Sequence, residues 1–198
     1  MTTPKKFVYV FGASKTEGDA GMKNLLGGKG ANLAEMCRLK ITVPSGFTIS
    51  TEACTEFTSG GRDYALDLIR DEVLAGIRFV EGEMGKTFGN AADPLLLSVR
   101  SGARVSMPGM MDTVLNLGLN DATVEGLATG SDNPRFAWDS YRRFIQMYSD
   151  VVLGIDHHLF EDALEIIKED NGFYTDVEMQ TEHWQALVGE YKAIVADA

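Results

Sequence analysis

The chain is short of the residues that stitch or span. Its two cysteines, Cys37 and Cys54, form neither a CxxC pair nor a disulfide framework, and both lie in apolar patterns that read as buried thiols in a reducing compartment. Its three histidines, His157, His158 and His183, fall at expected helix starts in acidic surroundings and read as surface residues. No group of His, Cys, Asp and Glu has metal-ligand spacing. No apolar run approaches the roughly 20 residues of a bilayer span. Cations are outnumbered, 18 Lys and Arg against 29 Asp and Glu. The resulting net charge of −11 argues against nucleic acid and against anionic membrane as partners. The opening residues run straight into an apolar strand without signal-peptide character, so a cytoplasmic setting is expected.

What is present fits a globular chain of one large domain or two small ones: 198 residues, 44% of them apolar, without internal repeats or low-complexity segments. In so acidic a chain the positions of the few cations carry information. Two stretches stand out. Leu95-Leu96-Leu97 reads as a buried strand of the kind found in α/β sheets, which places Arg100 at its carboxyl end, where open α/β sheets hold their ligands. Gly102, Arg104, Ser106-Met107-Pro108-Gly109, Asp112 and Thr113 follow. Glycine lets backbone N–H groups approach an anion, and arginine offers a planar fork suited to phosphate, so this loop could cover a polyphosphate. The alternative is a Gly/Pro turn between two strands with arginines on the surface.

The second stretch is Leu25-Leu26-Gly27-Gly28-Lys29-Gly30, ahead of a helix that sets Leu33, Met36, Cys37 and Leu39 on one face. Glycines at a helix N-terminus, with a lysine beside them, suit an anion. The stretch is neither a phosphate-binding P-loop, since no Ser or Thr follows Lys29, nor a dinucleotide fingerprint, since Leu33 stands where Gly or Ala belongs. A close-packing glycine turn with a solvated lysine is the other reading.

The remaining pattern gives a strand at Phe7–Phe11, a turn at Val43–Gly46 into a strand at Phe47–Ser50, and a helix with Leu66, Ile69, Val73, Ile77, Val80 and Met84 at helical spacing. Asp132-Asn133-Pro134 opens a helix of about five turns carrying Ala137, Tyr141, Phe144, Ile145, Tyr148 and Val152, with a stop at Gly154. Arg142 and Arg143 on it read as a solvated or ion-paired face. Helices over 159–168 and around Trp184–Val195 complete a helical subdomain of three helices.

The strings SVRSGARVSMPGMMDTVLNLGLND, NLLGGKGANLAEM and DNPRFAWDSYRRFIQMYSDVV resemble the amino-terminal end of the pyruvate, phosphate dikinase family, and together they reach across most of the chain. Phosphoenolpyruvate synthases would be expected to read more like Arg-Ser-Ser-Ala-Thr-Ala-Glu-Asp after the strand, and glucan, water dikinases diverge further. One departure is clear. Where the family usually has Leu-Gly-x-Pro-Val-Pro, this chain has Leu39-Lys40-Ile41-Thr42-Val43-Pro44, so Lys40 must take the left-handed conformation that glycine takes more easily.

The resemblance implies an α/β (α+β) fold: residues 1–120 as the first part of an ATP-grasp-like nucleotide-binding domain, and residues 121–198 as a small helical subdomain. It places the family's ATP-binding lysine on Lys29 and its phosphate-holding arginine on Arg100. It likens Met107, Pro108, Gly109 and Met110 to a loop whose backbone closes over the polyphosphate. Asp112 and Thr113 could orient that loop or contact a metal. ATP and Mg2+ are the implied cofactors, with the metal's carboxylates mostly outside this stretch. Phosphate and the remaining domains of the same polypeptide are the implied partners, in a parent enzyme expected to be a homodimer.

That enzyme is a transferase, a kinase converting ATP, phosphate and pyruvate to AMP, pyrophosphate and phosphoenolpyruvate through a phosphohistidine on another domain. None of the three histidines here matches that motif, so no catalytic residue is expected in this stretch and the isolated chain should not turn over. The alternatives are a phosphoenolpyruvate synthase-type dikinase and a non-catalytic binding module. The amphipathic last helix, without a C-cap glycine, favours a piece cut from a domain over the module.

Overall fold

The computed structural model describes residues 5–102 and 112–198, and the chain divides after Gly85. The first unit holds the residues up to Gly85 together with Ser101 and Gly102, and the second holds Lys86–Arg100 with Asp112–Ala198. Around residue 120 the strands before and the helices after share a core: Leu96 and Leu119 pack with Val124, Ala137, Tyr141 and Val188.

In the first unit, strand β1 (Val8–Phe11) runs antiparallel to β2 (Gly46–Ile49), with Val10 opposite Phe47. Helices α1 (Lys23–Arg38), α2 (Thr51–Gly60) and α3 (Arg62–Met84) pack around this pair. Phe7, Ala53 and Ile69 form the buried centre, with Val73 against it. Helix α3 also satisfies strand polarity, since Glu72 Oε2 accepts from the backbone N–H of Phe7 (2.9 Å) and Val8 (2.8 Å). In its last turn, Glu83 accepts from Ala13 N, Ser14 N and the Ser45 hydroxyl, and so fastens the loop after β1. The buried face of α3 runs through Ala65, Ile69, Gly76 and Val80, while Leu66 and Met84 are exposed. The expected stripe is therefore rotated toward the small residues, which let the helix approach β2: a Cβ on Gly76 would meet the Phe47 ring at 2.8 Å.

Lys40 does adopt φ 58, and the end of α1 closes as a paired turn in which Lys40 N donates to Cys37 O and Ile41 N to Met36 O, both at 2.9 Å. Leu39, expected on the buried face, is exposed because it lies in that turn.

In the second unit, β3 (Thr87–Phe88) pairs in parallel with β4 (Pro94–Leu95), and β5 (Leu97–Arg100) pairs antiparallel with β6 (Thr113–Leu117). The Leu95–Leu97 run is thus split between two strands, and only Leu95 is fully buried. An open parallel sheet with Arg100 at its ligand-binding edge is not what forms. The described residues instead make three two-stranded sheets among helices, an α+β arrangement.

Four helices follow: α4 (Asp121–Ser131), α5 (Pro134–Tyr148), α6 (His158–Asn171) and α7 (Thr181–Asp197). Helix α4 was not expected. Its signal was Asn120, whose side chain accepts from Ala122 N and Thr123 N while the Thr123 hydroxyl accepts from Asn120 N. Helix α5 starts as expected, with Asn133 capping Phe136 N and Pro134 in its first turn, and passes through a π-turn (Ser149–Leu153) to Gly154 at φ 72. Trp184, Leu187, Tyr191, Phe160 and Met179 are fully enclosed between α6 and α7, each large side chain contributing about 1.5–3 kcal/mol by burial. No helix among the described residues is long and apolar enough to cross a membrane.

Candidate functional site

Lys29 owes its setting to a break in α1. Gly27 has φ 69 and ψ 171, a combination open essentially only to glycine, and it separates the turn Lys23–Leu26 from the helix that follows. Gly28, Lys29 and Gly30 therefore open a new helical segment, whose first N–H groups lack partners one turn back and whose dipole favours an anion. The neighbouring residues hold this start in place. The Thr51 hydroxyl donates to Asn24 O at 2.8 Å, and Gly30 lies so close to β2 that a Cβ would meet the Thr48 side chain at 2.7 Å. Gly28 differs. A Cβ there would meet no protein atom within 4 Å, and its φ is not one that requires glycine. The two readings of the glycine run are thus divided among its members: Gly30 is a packing glycine, Gly27 a conformational one, and Gly28 has neither need.

Arg100 ends β5 and is exposed. It stands opposite Thr113 in the β5–β6 ladder, so the two residues flank the segment that joins the strands. The register slips between Leu97 and Val99, where Asn116 takes φ 58 on the longer strand. Asp112, beside Thr113, is exposed and has a partner of its own. Met107, Pro108, Gly109 and Met110 lie outside the described residues. Lys29 belongs to the first unit and Arg100, Asp112 and Thr113 to the second.

Neither Lys29 nor Arg100 takes part in an ion pair among the described residues. Most other cations do. Lys6 and Lys15 both reach Glu17 Oε1 at 2.7 Å, and Val10 N donates to its other oxygen at 3.2 Å. Burial pushes the Glu17 carboxyl up, but the two lysines and the N–H outweigh it and hold it at about 2. Arg142 is 5% exposed, bonded to Asp139 (2.8 Å) and Asp176 (3.0 Å), with its guanidinium 4.7 Å from the Trp184 ring centroid. Arg143 pairs with Asp139 at 3.1 Å. The ion-paired reading of these two arginines holds, and burial of Arg142 makes it part of the helical core.

Two sequence expectations need correction. Cys54 is exposed and Cys37 half-buried, because α2 turns Cys54 away from its buried residue Ala53. Asp156, His157 and His158, consecutive in the chain, bring one ligand atom each to within 4.8 Å of one another. Spacing rules that look for residues a turn apart pass over such a triplet.

Residues 23–63, which include Lys29, match the family model described as pyruvate phosphate dikinase, AMP/ATP-binding domain. Over its full 198 residues the chain is 52% identical to a chloroplastic pyruvate, phosphate dikinase of Flaveria pringlei. It is 53% identical over 192 residues (97% of the chain) to a pyruvate, phosphate dikinase of Rhizobium meliloti (strain 1021), and 51% identical over 193 residues (98%) to one of Clostridium symbiosum. It spans 20%, 21% and 22% of these relatives, respectively, or about a fifth of their length.

Proposed function

We propose, from the chain's homology along its whole length to a fifth of the pyruvate, phosphate dikinases, that it is an ATP-binding part of such an enzyme. The observation that carries the reading is the local structure at Lys29. A cation with no acid partner among the described residues sits in the first turn of a helical segment, next to a glycine over which there is open space. Such a start accepts an anion, and the lysine adds a full charge to the partial charge of the N–H groups. Arg100, in the second unit, is where the resemblance puts the family's phosphate-holding arginine, a planar fork able to hold two phosphoryl oxygens. The loop of Met107, Pro108, Gly109 and Met110 would cover the polyphosphate, with backbone N–H groups from Met107, Gly109 and Met110, and Thr113, opposite Arg100, would anchor the far end of that loop.

The reaction proposed for the whole enzyme moves a pyrophosphoryl group from ATP to a histidine on another domain with release of AMP, passes its outer phosphoryl group to inorganic phosphate to give pyrophosphate, and transfers the remaining phosphoryl group to pyruvate to give phosphoenolpyruvate. The residues here neutralise charge as the phosphoryl bond breaks, which is the principal protein contribution in such transfers. Mg2+ is usually held by one or two carboxylates together with phosphate oxygens, and Asp112 is the carboxylate in this stretch that fits such a part. The ATP-grasp-like plan, phosphate as a further substrate and a homodimeric parent are parts of the same reading.

The test is Lys29→Ala in the full-length enzyme. ATP-driven phosphorylation of the histidine should be lost, while phosphoenolpyruvate-driven phosphorylation of the same histidine persists. Equal loss of both would remove Lys29 from the ATP site. The 198-residue chain alone should bind ATP weakly or not at all in calorimetry.

A further inference from the structure

We propose that Asp156, His157, His158 and Glu161 form a site for one divalent transition-metal ion, of the class that imidazole and carboxylate hold together, with zinc, cobalt and nickel as its members. The site lies wholly in the second unit, at the start of α6, and shares no residue with the ATP reading.

The four ligands lie within six residues, and the backbone that carries them is fixed. Asp156 Oδ1 accepts from His158 N at 3.0 Å, Asp156 O from Leu159 N at 3.2 Å, and His157 O from Phe160 N (3.1 Å) and Glu161 N (3.2 Å). Only side-chain rotamers remain to be ordered on binding. Asp156, His157 and His158 already bring ligand atoms within 4.8 Å of one another. Glu161, one turn along the helix, has Oε2 at 3.6 Å from His158 Nδ1 and 4.0 Å from His157 Nε2. Metal–nitrogen and metal–oxygen bonds near 2.0–2.1 Å in a tetrahedron put ligand atoms about 3.4 Å apart. Side-chain rotations close Asp156, His157 and His158 to such distances, and Glu161 joins them once the His157 ring offers a single nitrogen, since Asp156 now lies at its Nδ1 (3.8 Å) and Glu161 at its Nε2 (4.0 Å).

The competing account is two imidazolium–carboxylate pairs on a solvated helix start. Against it, ligand atoms of three residues, two of them imidazole nitrogens on rings with centroids 4.2 Å apart and planes tilted by 33°, gather within 4.8 Å of one another, which separate pairs would not require. His157 also lines an open hollow of about 440 Å3 whose other residues include Arg142 and Arg143. Their charge is already taken by Asp139 and Asp176, so it does not oppose a bound cation at full strength. The ligand side chains are about half exposed or more, so binding should be weaker than at a buried structural zinc site.

The experiment uses the 198-residue chain without an affinity tag, titrated with Co2+ by visible absorption and with Zn2+ by calorimetry. One equivalent should bind. His157→Ala and His158→Ala should each weaken binding roughly tenfold or more, and the double variant should abolish it. All four side chains are at least partly exposed, so these variants should keep the parent's circular dichroism, and a Cys37→Ser/Cys54→Ser variant should bind as the parent does. Failure to saturate by about 100 µM metal, retention of one equivalent in the double histidine variant, or loss of binding in the double cysteine variant would each overturn the site.

Discussion

Arg100 and Thr113 are direct partners across the antiparallel β5–β6 ladder, so the segment joining them begins and ends at one place. In the full-length enzyme, Arg100→Ala should lower ATP-driven phosphorylation of the histidine roughly 100-fold or more, as loss of a charge-stabilising donor does. Arg100→Lys should recover only part of this, because a point charge replaces a two-pronged donor. Rapid-quench measurement of each half-reaction checks it, and an effect confined to the phosphoenolpyruvate side would contradict the role.

Gly28 separates packing from ligand approach. Nothing in the protein meets a Cβ there, and alanine is the better helix residue by roughly 0.5–1 kcal/mol. Gly28→Ala should therefore leave the melting temperature unchanged or slightly raised while weakening the ATP half-reaction. Gly30→Ala should do the opposite first, lowering the melting temperature through its clash with Thr48, with partial recovery in Gly30→Ala/Thr48→Ala.

Lys40 holds φ 58 at the end of α1. A non-glycine residue there costs about 1 kcal/mol, so Lys40→Gly should raise stability by about that amount in urea unfolding. No change in the unfolding midpoint would show that the paired turn carries no strain.

Glu17 has its folded pKa held at about 2, below its ordinary 4.5. Its contribution is present above pH 4.5 and is lost as the pH falls from there toward 2. With Lys6 and Lys15 partly exposed, the contribution is about 1–2 kcal/mol. Glu17→Gln should lower stability at pH 6 and flatten the decline between pH 4.5 and 2, as followed by denaturant titration at several pH values.

Arg142 is buried with two carboxylates and an aromatic face as its partners. Arg142→Ala removes the buried guanidinium that Asp139, Asp176 and Trp184 share, while Arg143 and Lys168 still face the two carboxylates, and should cost about 2 kcal/mol. Arg143→Ala, on the exposed side of Asp139, should cost under about 1 kcal/mol.

Elements announced by capping chemistry could be read from the sequence. Asn133-Pro134 and Gly154 bounded their helix because side-chain caps and positive φ are local requirements. The left-handed Lys40 could be read for the same reason. The sheet could not be read so: three adjacent leucines fit one buried strand as well as two short ones, and pairing partners decide between them. Helix α3 was found, but its buried stripe was misplaced, because small residues facing β2 outrank larger ones that face solvent. At Lys29 the chain pattern marked the glycine run but not its division of labour, which depends on Thr48, 18 positions away in the chain.

Gly27 decides whether α1 is one rod or two. An L-residue placed there would favour ordinary helical torsions, and the backbone from Lys23 to Arg38 would then run unbroken. The amides of Gly28, Lys29 and Gly30 would turn inward to carbonyls one turn behind, and the end of a dipole would become its middle. Such a change would straighten and strengthen the helix while erasing the polarity at Lys29, so selection for stability alone would work against the site.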